Sequence, residues 1–461
     1  MFATKENVKI HFVGIGGIGM SGIAEVLLSL GYEITGSDIS DSKTVEKLRK
    51  LGAKIGIGHK RENAAGATVM VYSSAIDTSN PEIQLAKEIN IPLMKRAEML
   101  AELMRLKYGL AIAGTHGKTT TTSFLATILQ ESKFDPTYII GGVVSNLDGH
   151  AKVGGGEFLV AEADESDGSF LLLNPIMSVV TNIDFDHMDH YETEEKLLES
   201  FVRFINKVPF YGLCAVNIHD ENIKRILKLV KKPWVTFGVR ESDPEVADFE
   251  ARKIKYLDFY SEYELYYKNK KVQDIKICLP GRHNVLNSLG AIALAYNMGV
   301  SFDLIANSID KFIGVGRRFQ LLYKENDFEL LDDYAHHPTE ISTTLKTLKD
   351  TRKDSKIVVI FEPHRFTRTR DCWEQFLHCF NDADEVYIAP VYAASEKEIL
   401  GISSDRLVED INHLHPDLAA KLNSVELLKD VVSKHRKNKA TVITLGAGSI
   451  GKIVRELSFN A

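Results

Sequence analysis

One stretch, residues 108–122, constrains the fold of this chain more than any other. Its sequence, YGLAIAGTHGKTTTT, starts with an apolar run that predicts a β-strand, turns through a loop between two glycines, and leads into a helix predicted over residues 123–131. A strand, a glycine loop, a Lys-Thr pair and a helix form the arrangement that binds a triphosphate. The spacing is the short Gly-x-x-Gly-Lys-Thr, because Ile112 stands where the longer loop has glycine.

This interpretation gives the loop residues definite tasks. Backbone N–H groups and the helix N-terminus would face the anion, Lys118 would reach the outer phosphates, and the Thr119 hydroxyl would be available to Mg²⁺. The alternative is a helix start that carries Gly-Lys-Thr by chance. The predicted nucleotide contacts in the loop are Gly114, Thr115, His116, Gly117, Lys118, Thr119 and Thr120.

Length and charge narrow the class of protein. A chain of 461 residues is expected to form about three domains. The net charge of −7 argues against a general nucleic-acid or anionic-membrane partner, although local basic clusters could bind a phosphorylated small molecule. The four cysteines are scattered without a CxxC pair, and no apolar run is long enough to span a bilayer. We therefore expect a cytoplasmic protein without a disulfide framework or membrane insertion.

The first predicted domain, residues 1–108, opens with a second glycine motif. A strand predicted over residues 8–13 is followed by GIGGIG at 14–19, a helix over 22–30, and an acidic residue, Asp38, after the next strand. In this setting the glycines let the backbone approach a pyrophosphate, which NAD, FAD and UDP all carry. A glycine turn chosen only for packing is the alternative.

The middle domain, predicted over residues 109–317, contains two strand ends rich in carboxylate and imidazole. The strand over 158–161 leads into Glu162 and further acidic residues, and the strand over 177–181 leads into a loop with His187. Mg²⁺ prefers oxygen ligands, and a histidine ligand would indicate tolerance of Mn²⁺. Zinc competes, but no cysteine stands nearby, and most of these residues are expected to be solvated. We predict Thr119, Glu162 and His187 as metal ligands.

The third domain, predicted over residues 318–461, repeats the pattern of polar residues after buried strands. Ligands of parallel α/β sheets lie beyond the carboxyl ends of the strands. Arg365 and Arg368 follow one strand end and suit a carboxylate or phosphate. GAGSIG at 446–451 is interpreted as a packing turn rather than a binding loop. Asn284, at a helix start, is either a cap or a partner for an adenine edge.

Ten motifs, in order along the chain, resemble the Mur ligase family, the ATP-driven ligases of peptidoglycan precursor synthesis. They are VGIGGIGMSGIAE at 13–25, KRAEMLAELMR at 95–105, GTHGKTTTT at 114–122, AEADESDGSF at 161–170, TNIDFDHMDHY at 181–191, PGRHNVLN at 280–287, GVGRRF at 314–319, DDYAHHPTEI at 332–341, EPHRFTRTRD at 362–371 and GAGSIG at 446–451. The ordered set is a stronger signal than any one motif.

The resemblance implies an α/β fold of three domains. These are an N-terminal Rossmann-like UDP-binding domain, a central P-loop ATPase-type domain and a C-terminal Rossmann-like domain that binds the amino acid. It also implies a reaction: ATP, with Mg²⁺ or Mn²⁺, would phosphorylate the carboxylate of UDP-N-acetylmuramate. L-alanine would then attack the acyl phosphate, leaving ADP and phosphate. The protein would be a monomer or a homodimer.

The same resemblance implies roles for individual residues. Gly16, Gly17, Ile18, Gly19, Met20, Ser21 and Ser74 would contact the UDP moiety. Asn284 would hold the adenine, Asp333 the ribose and Arg318 the phosphates, and the alanine end would be formed by Tyr334, His336, Arg365 and Arg368. The catalytic set would be Lys118, His187, His336, Arg365 and Arg368. Related ligases for later steps carry a carbamylated lysine, and residues 201–203 offer no lysine at that place.

Three rival functions remain open from the sequence. A ligase of the same family that joins a whole tripeptide to UDP-N-acetylmuramate differs only in detail. A nicotinamide-dependent oxidoreductase built on residues 14–19 would leave the Gly-Lys-Thr loop and the carboxylate loops unexplained. A nucleotide-switched binding protein would turn over ATP slowly, without stimulation by a sugar acid or an amino acid.

Overall fold

The computed structural model describes residues 8–73, 76–144, 146–147, 149–241, 245–394 and 396–457. Three β-sheets follow one another along these residues, and helices connect most of their strands. The mixed α/β class and the division into three sheet-based parts agree with the predicted fold class.

The first sheet has five parallel strands, in the order β3-β2-β1-β4-β5. The strands are β1 (Lys9–Val13), β2 (Glu33–Asp38), β3 (Lys54–Ile57), β4 (Val69–Tyr72) and β5 (Leu93–Lys95). The helices are α1 (Ile18–Ser29), α2 (Lys43–Lys50), α3 (Pro81–Glu88) and α4 (Arg96–Leu106), with a 3₁₀ turn at Arg61–Ala64. The strand order reverses between β1 and β4, so a crevice forms beyond their carboxyl ends, where α/β sheets bind ligands.

The second sheet has ten strands, in the order β15-β14-β13-β12-β11-β10-β6-β9-β7-β8. They are β6 (Tyr108–Ala113), β7 (Thr137–Val144), β8 (Gly149–Lys152), β9 (Phe158–Glu162), β10 (Met177–Val180), β11 (Leu213–Asn217), β12 (Trp234–Val239), β13 (Phe249–Tyr256), β14 (Ser261–Tyr267) and β15 (Lys270–Ile277). The helices are α5 (Lys118–Glu131), α6 (Met188–Tyr191), α7 (Glu194–Ile205), α8 (Glu221–Leu227), α9 (Arg282–Asn297) and α10 (Phe302–Ile309), with a 3₁₀ turn at Ser169–Leu172. Strand β6 lies between β9 and β10 and is parallel to both.

The third sheet has six strands, in the order β16-β17-β21-β18-β19-β20, and only the edge strand β16 is antiparallel to its neighbour among the described pairs. They are β16 (Gln320–Glu325), β17 (Phe328–Asp333), β18 (Lys356–Phe361), β19 (Glu385–Ile388), β20 (Ala419–Lys421) and β21 (Ala440–Leu445). The helices are α11 (Pro338–Thr351), α12 (Phe366–Asp371), α13 (Trp373–His378), α14 (Ser404–Leu414), α15 (Leu428–His435) and α16 (Ile450–Arg455), with a 3₁₀ turn at Val425–Leu427.

The chain forms two compact units. The first takes in the chain up to Lys253 together with Tyr263–Lys276 and Leu286–Ile313. It contains the first sheet and most of the second, whose apolar residues form one continuous core, with Phe12 and Ile23 joined to Ile139 and Phe170. Burial of these side chains stabilises the two sheets as one unit.

The second unit takes in Ile254–Glu262, Ile277–Val285 and the chain from Gly314 onward. Apolar clusters lie on both faces of its sheet. Successive side chains of a strand point to opposite faces, so neighbouring residues belong to different clusters. Leu331 and Val359 belong to one apolar cluster, whereas Leu330 and Val358 belong to the other.

Two predicted helices begin earlier than expected. Helix α1 begins at Ile18 rather than at residue 22, and α5 begins at Lys118 rather than at residue 123. Threonine has a modest helix propensity, which placed the four threonines outside the predicted helix. In the structure Thr119–Thr122 are buried, and this packing outweighs the propensity. None of the described helices combines the length and the apolar character needed to cross a bilayer.

Candidate active site

The loop after β6 has a backbone that only glycine accommodates at two positions. Gly114 has φ of 128° and Gly117 has φ of 82°, both in the left-handed region. A Cβ on Gly114 would lie 2.1 Å from Thr181 Oγ1, and one on Gly117 would lie 2.3 Å from Asn287 Oδ1. The two glycines therefore let the loop turn tightly between β10 and α9.

The end of strand β10 holds this loop in place. The backbone N–H of His116 donates to Asn182 Oδ1 at 2.9 Å, and Asn182 Nδ2 donates back to the His116 carbonyl at 2.9 Å. The Thr115 hydroxyl accepts from the backbone N–H of Asp184 at 2.9 Å. His116 Nε2 lies 3.1 Å from Asp184 Oδ2. The carboxyl ends of adjacent parallel strands thus fix the loop from one side.

Lys118 is the central cation of the site. Its Nζ donates to the carbonyls of Gly114 at 2.6 Å and Thr115 at 2.9 Å, and to Glu165 Oε2 at 2.7 Å. The Lys118 side chain is 16% exposed and that of Glu165 only 3%. Glu165 follows β9, so the ion pair joins the loop to the strand on the other side of β6.

Electrostatics keep Lys118 charged. Burial is the largest single influence on its pKa and lowers it, but the carboxylates of Glu165, Asp164 and Glu162 together raise the pKa above its ordinary value. Burial raises the pKa of Glu165 to about 7, against the opposing effect of Lys118. The loop therefore presents a permanent positive charge in a poorly solvated place.

The structure brings together two of the three predicted metal ligands. Thr119 Oγ1 donates to Glu162 Oε2 at 3.1 Å, and Glu162 Oε1 accepts from the backbone N–H of Gly141 at 2.5 Å. A hydroxyl beside a carboxylate is an oxygen donor pair of the kind Mg²⁺ prefers, so these residues fit that ion. His187 lies after β10 in the left-handed region, with its Nε2 3.4 Å from Asp186 Oδ2.

The glycine motif of the first sheet is bound to the acidic residue that follows β2. The backbone N–H of Gly16 donates to Asp38 Oδ2 at 2.8 Å. Gly17 precedes α1 without a side-chain cap among the described residues, so the N-terminus of this helix keeps N–H groups for an anion. Gly19 and Met20 lie in its first turn, and Ile18 is half exposed, at 50%.

A buried polar network at the end of β2 binds the start of the glycine motif. The Ser37 carbonyl accepts from the backbone N–H groups of Gly14 and Ile15, at 2.9 and 3.0 Å. The Ser37 hydroxyl donates to Glu82 Oε2 at 2.6 Å, and His11 Nε2 lies 3.3 Å from the same oxygen. Sequence reasoning missed this network, because its members come from separate elements.

Two contacts tie the first sheet to the second. Ser21 Oγ lies 3.0 Å from Nε2 of His150, which is on β8. Arg96, the first residue of α4, donates through Nη2 to Asp164 Oδ2 at 3.1 Å. A Cβ on Gly19 would lie 3.1 Å from Arg96 Cδ, so the arginine lies beside the glycine motif. Arg96 therefore connects this motif with the carboxylate loop that holds Lys118.

In the second unit, the three residues predicted to contact the nucleotide, Asp333, Arg318 and Asn284, interact with neighbouring protein groups. Asp333 accepts from the backbone N–H groups of Phe319 at 2.7 Å and Ala335 at 2.8 Å. Burial raises its pKa to about 6, opposed by nearby Arg318. Arg318 lies 5.2 Å from the centre of the Tyr334 ring. Asn284 Nδ2 donates to the Pro280 carbonyl at 2.8 Å, so one of its donors acts within the helix start.

The predicted alanine-end residues lie in a row of rings beside α12. The rings of Tyr334 and His336 are 5.3 Å apart, those of His336 and His364 are 5.8 Å apart, and those of His364 and Tyr392 stack at 5.5 Å. Arg365, with φ of 70°, precedes α12, and Arg368 lies within it. His364 and Tyr392 were not among the predicted site residues.

Burial keeps these imidazoles neutral. Burial, together with the charge of Arg368, lowers the pKa of His336 to about 3 and that of His364 to about 4. Glu340, whose carboxylate is 3.3 Å from His336 Nδ1, opposes the shift of His336. The arrangement presents arginine cations beside neutral ring nitrogens.

The turn at 446–451 binds a carboxylate of its own chain. Glu362 accepts from the Ser449 hydroxyl at 2.6 Å and from the backbone N–H of Ile450 at 2.9 Å, at the start of α16. A Cβ on Gly448 would lie 2.5 Å from Glu362 Oε2. This geometry favours the interpretation of a packing turn.

Several predicted site residues meet in space. Lys118, Thr119 and Glu162 form one cluster, as expected from adjacent strand ends. Ser74 lies outside the described residues. Glu165 and Arg96 were missed as site residues, although both stand inside motifs that the sequence presents. Nothing in the order of four nearby acidic residues says which one faces the lysine.

The site has a lysine-bearing glycine loop at the carboxyl end of a parallel strand, beside a hydroxyl–carboxylate pair. This arrangement defines the class of α/β proteins that bind nucleotide phosphates. Three family models match the chain: the Mur ligase family catalytic domain over residues 9–108, the Mur ligase middle domain over 112–295 and the Mur ligase glutamate ligase domain over 317–448. The chain belongs to the Mur ligase family.

Individual relatives agree with this placement. The UDP-N-acetylmuramate–L-alanine ligase of Trichlorobacter lovleyi is 48% identical over 443 residues, which cover 96% of both chains. The enzyme of the same name from Geobacter sulfurreducens is 48% identical and covers 96% of this chain and 95% of its own. The solved UDP-N-acetylmuramate–alanine ligase of Thermotoga maritima superposes with a TM-score of 0.82 at 30% identity, covering 97% of each chain.

Proposed function

We propose that the protein joins L-alanine to the carboxylate of UDP-N-acetylmuramate with consumption of ATP, giving UDP-N-acetylmuramoyl-L-alanine, ADP and phosphate. The observation that carries this proposal is the 48% identity, over 96% of both chains, to a relative of that name. The proposed substrates are a nucleotide sugar and a free amino acid, and we propose that the reaction takes place in the cytoplasm.

The chemistry explains why a nucleotide is needed. A carboxylate does not form an amide readily in water, because an oxide is a poor leaving group. A carboxylate oxygen attacks the γ-phosphorus of ATP, ADP leaves, and an acyl phosphate forms. The alanine amine then attacks the acyl carbon, loses a proton, and expels inorganic phosphate with the former carboxylate oxygen. Both steps need positive charge near the transferred group.

Lys118 supplies that charge in our proposal. Its Nζ is within 2.9 Å of the Gly114 and Thr115 carbonyls and of Glu165, so its position is determined before any substrate binds. A cation fixed in a poorly solvated loop costs little reorganisation during the reaction. The N-terminus of α5, which has no side-chain cap among the described residues, adds backbone N–H groups for the phosphates.

Thr119 and Glu162 are the residues that would hold Mg²⁺, with His187 proposed as a third ligand. The 3.1 Å separation of the Thr119 hydroxyl and the Glu162 carboxylate, together with their oxygen chemistry, fits this ion. When bound, the ion would neutralise charge on the nucleotide phosphates. Glu162 is oriented for this by the backbone N–H of Gly141.

The first sheet is proposed to bind the UDP-sugar. The glycine motif lies at the point where the strand order reverses, and the start of α1 offers N–H groups to a pyrophosphate. Gly16 to Ser21 and Ser74 are proposed as contacts. Arg96 adds a guanidinium beside Gly19, so we include it among the residues that orient the nucleotide sugar.

The second unit is proposed to bind the amino acid. Tyr334, His336, Arg365 and Arg368 are the proposed residues, since guanidinium groups suit the alanine carboxylate. The neutral His336 ring, whose pKa burial lowers to about 3, would not repel the alanine ammonium group. Asn284, Arg318 and Asp333 are proposed for the adenine, phosphates and ribose of ATP.

Phosphate release with each substrate omitted in turn tests the proposal. We expect release only when ATP, UDP-N-acetylmuramate and L-alanine are all present, beyond a slow background. Replacing L-alanine by the free tripeptide tests the rival ligase of the same family, and preferred use of the tripeptide would overturn the assignment of alanine. Oxygen-18 in the lactyl carboxyl must appear in the released phosphate, and its absence would rule out an acyl phosphate.

A further inference from the structure

One edge of the central sheet carries exposed apolar side chains that the proposed reaction does not use. Strands β11 and β12 are parallel to β6, so the loops that precede them lie at the edge opposite to the phosphate loop. Phe210 is 83% exposed, Tyr211 67%, Leu229 53% and Trp234 42%. We call these four residues the basal patch. A five-residue strand separates the two edges by roughly 17 Å.

The two loops that carry the basal patch lie side by side. Asn206 Nδ2 donates to the Leu229 carbonyl at 3.3 Å, and Asn206 Oδ1 accepts from the backbone N–H of Lys231 at 2.8 Å, so the two loops are tied together. Trp234 pairs with Cys214 in the ladder of β11 and β12. The rings of Phe210 and Tyr211 contact each other edge to face, with centres 5.2 Å apart.

Basic residues lie in and next to the two loops that carry the basal patch. Residues 206–212 and 228–233, the loops before β11 and β12, contain lysines but no aspartate or glutamate. The loop before β10, residues 173–176, also lacks acidic residues. The basic belt consists of Arg203, Lys207, Lys228, Lys231 and Lys232.

The basic belt is not neutralised within the chain. In the part of the chain that the structure describes, none of its five members forms an ion pair with a carboxylate. Lys207 Nζ donates instead to the amide oxygen of Asn174 at 3.2 Å. The overall charge of the chain is −7, so the basic belt is a positively charged region on a protein of negative net charge.

We propose that the basal patch and its basic belt dock the protein reversibly on a membrane surface that contains anionic lipid. Exposed aromatic and leucine side chains at loop tips partition into the boundary between headgroups and acyl chains. Lysines around them interact with lipid phosphates, each strengthening the attraction at low ionic strength. This surface leaves the phosphate loop, at the opposite sheet edge, open to its substrates.

The charge and the shape of the basal patch favour an anionic membrane over two other partners, a second copy of the chain and a single-stranded nucleic acid. A second copy bound through the same patch on both molecules would bring the two basic belts against each other, which is unfavourable. A single-stranded nucleic acid would use the open faces of the rings, but the edge-to-face contact of Phe210 with Tyr211 and the aliphatic side chain of Leu229 offer little for base stacking. An anionic bilayer satisfies both the apolar and the charged parts.

Sedimentation of the full-length protein with vesicles tests the docking. The vesicles contain either phosphatidylcholine alone or phosphatidylcholine with about one third phosphatidylglycerol. We expect binding to the anionic vesicles at low salt and at least a tenfold loss in high salt or on neutral vesicles. Equal binding to both compositions, or no binding to either, would overturn the proposal.

Variants locate the contact. Phe210→Ser with Tyr211→Ser, and separately Lys231→Glu with Lys232→Glu, should each reduce vesicle binding at least fivefold. Both should leave phosphate release unchanged. Leu400→Ser is the matched control, because Leu400 is fully exposed but lies far along the chain in the loop before α14. Loss of binding in this control, or retention in both test variants, would contradict the assignment.

Intrinsic fluorescence gives a second readout. The chain has 2 tryptophans, and Trp373 donates through Nε1 to Asp410, so Trp373→Phe leaves Trp234 as the reporter. Its emission should shift to the blue with anionic vesicles and stay unchanged with neutral ones. A shift caused instead by an oligothymidylate or by raised protein concentration, without any with vesicles, would assign the patch to nucleic acid or to self-association.

Discussion

Lys118 Nζ and Glu165 Oε2 are 2.7 Å apart, and this ion pair joins the glycine loop after β6 to the carboxylate loop after β9. Glu165 has a 3% exposed side chain, so its charge depends on the lysine for compensation. The lysine, in turn, is held where the phosphates of a nucleotide would lie. A single pair therefore serves both the stability of the loop and the proposed chemistry.

Lys118→Ala is expected to abolish ligation, a loss of at least about 10³-fold in kcat, because the cation acts on the transferred phosphoryl group. UDP-sugar binding, which we assign to the first sheet, should remain. The variant should also lose about 1–3 kcal/mol of stability, since Glu165 would lose its cationic partner and remain as a buried carboxyl group that takes up a proton at neutral pH. Phosphate release, calorimetric titration of the sugar nucleotide and denaturant unfolding measure the three effects.

The double change Lys118→Met with Glu165→Leu is the matched control for this pair. It removes both charges, so most of the stability should return while activity stays absent. Activity near that of the unaltered protein in either variant would contradict the assignment of the phosphate loop.

Thr119→Val tests the proposed Mg²⁺ site. The change removes the hydroxyl that lies 3.1 Å from Glu162 and keeps the size of the side chain. We expect the Mg²⁺ concentration for half-maximal activity to rise roughly tenfold or more. Thr122→Val is the control, because Thr122 Oγ1 donates within its own helix, to the Lys118 carbonyl. An equal response of both variants to Mg²⁺ would show that the Thr119 hydroxyl has no special role.

Arg96→Gln should weaken the use of UDP-N-acetylmuramate, because Arg96 lies beside Gly19 and pairs with Asp164. We expect the KM for this substrate to rise about tenfold, equivalent to about 1.4 kcal/mol, with a smaller effect on the KM for ATP. Arg105→Gln provides the comparison, since Arg105 lies on the same helix in an exposed ion pair with Glu102. A change in the KM for ATP alone would show that Arg96 acts through the carboxylate loop and not on the sugar nucleotide.

Arg368→Ala should affect the amino-acid step most. Burial is the main cause of the low pKa values of His336 and His364, and the Arg368 guanidinium also lowers both. Arg368 is therefore close to the proposed alanine end. We expect the KM for L-alanine to rise by at least tenfold. Arg370→Ala, a nearby exposed arginine paired with Asp371, should leave it unchanged. An unaltered KM for alanine, with only ATP affected, would refute this role.

Acid should destabilise the second unit through its buried histidines. Burial lowers the pKa of His336 to about 3 and those of His283 and His364 to about 4. An unfolded chain, with ordinary histidine pKa values near 6.5, therefore binds more protons than the folded one between about pH 6.5 and pH 4. Stability is full above about pH 6.5 and falls as the pH falls through this range.

Burial raises the pKa of Asp333 to about 6, so this residue changes stability with pH in the opposite direction. Comparing a histidine variant with the unaltered protein therefore isolates the effect of that histidine. His336→Asn should flatten the dependence of the unfolding free energy on pH by up to about 1.4 kcal/mol per pH unit. Thermal denaturation from pH 7 to pH 5 measures this slope. An unchanged slope would mean that His336 is charged in the folded protein.

The site shows how far sequence reasoning reaches. Local patterns predicted the glycine loop at Gly114 and Gly117. The polar residues after neighbouring strands predicted Thr119, Glu162 and His187 as metal ligands, and the structure brings Thr119 and Glu162 together. The partner of the lysine was not predictable, because residues 162–167 contain four carboxylates and only the direction of the chain after β9 selects Glu165. The predicted domain limits at 108 and 317 stay predictions.

The sequence by itself determined the strands that precede the site loops, the glycine turns and the family, because these depend on short patterns of apolar, glycine and charged residues. Only the tertiary structure decided which distant residues meet: Arg96 with Asp164, Ser21 with His150, and the aromatic and basic residues of the basal patch. The physical reason is that parallel strands are joined by crossovers. Residues at one sheet edge are therefore neighbours in space while lying tens of positions apart in the chain.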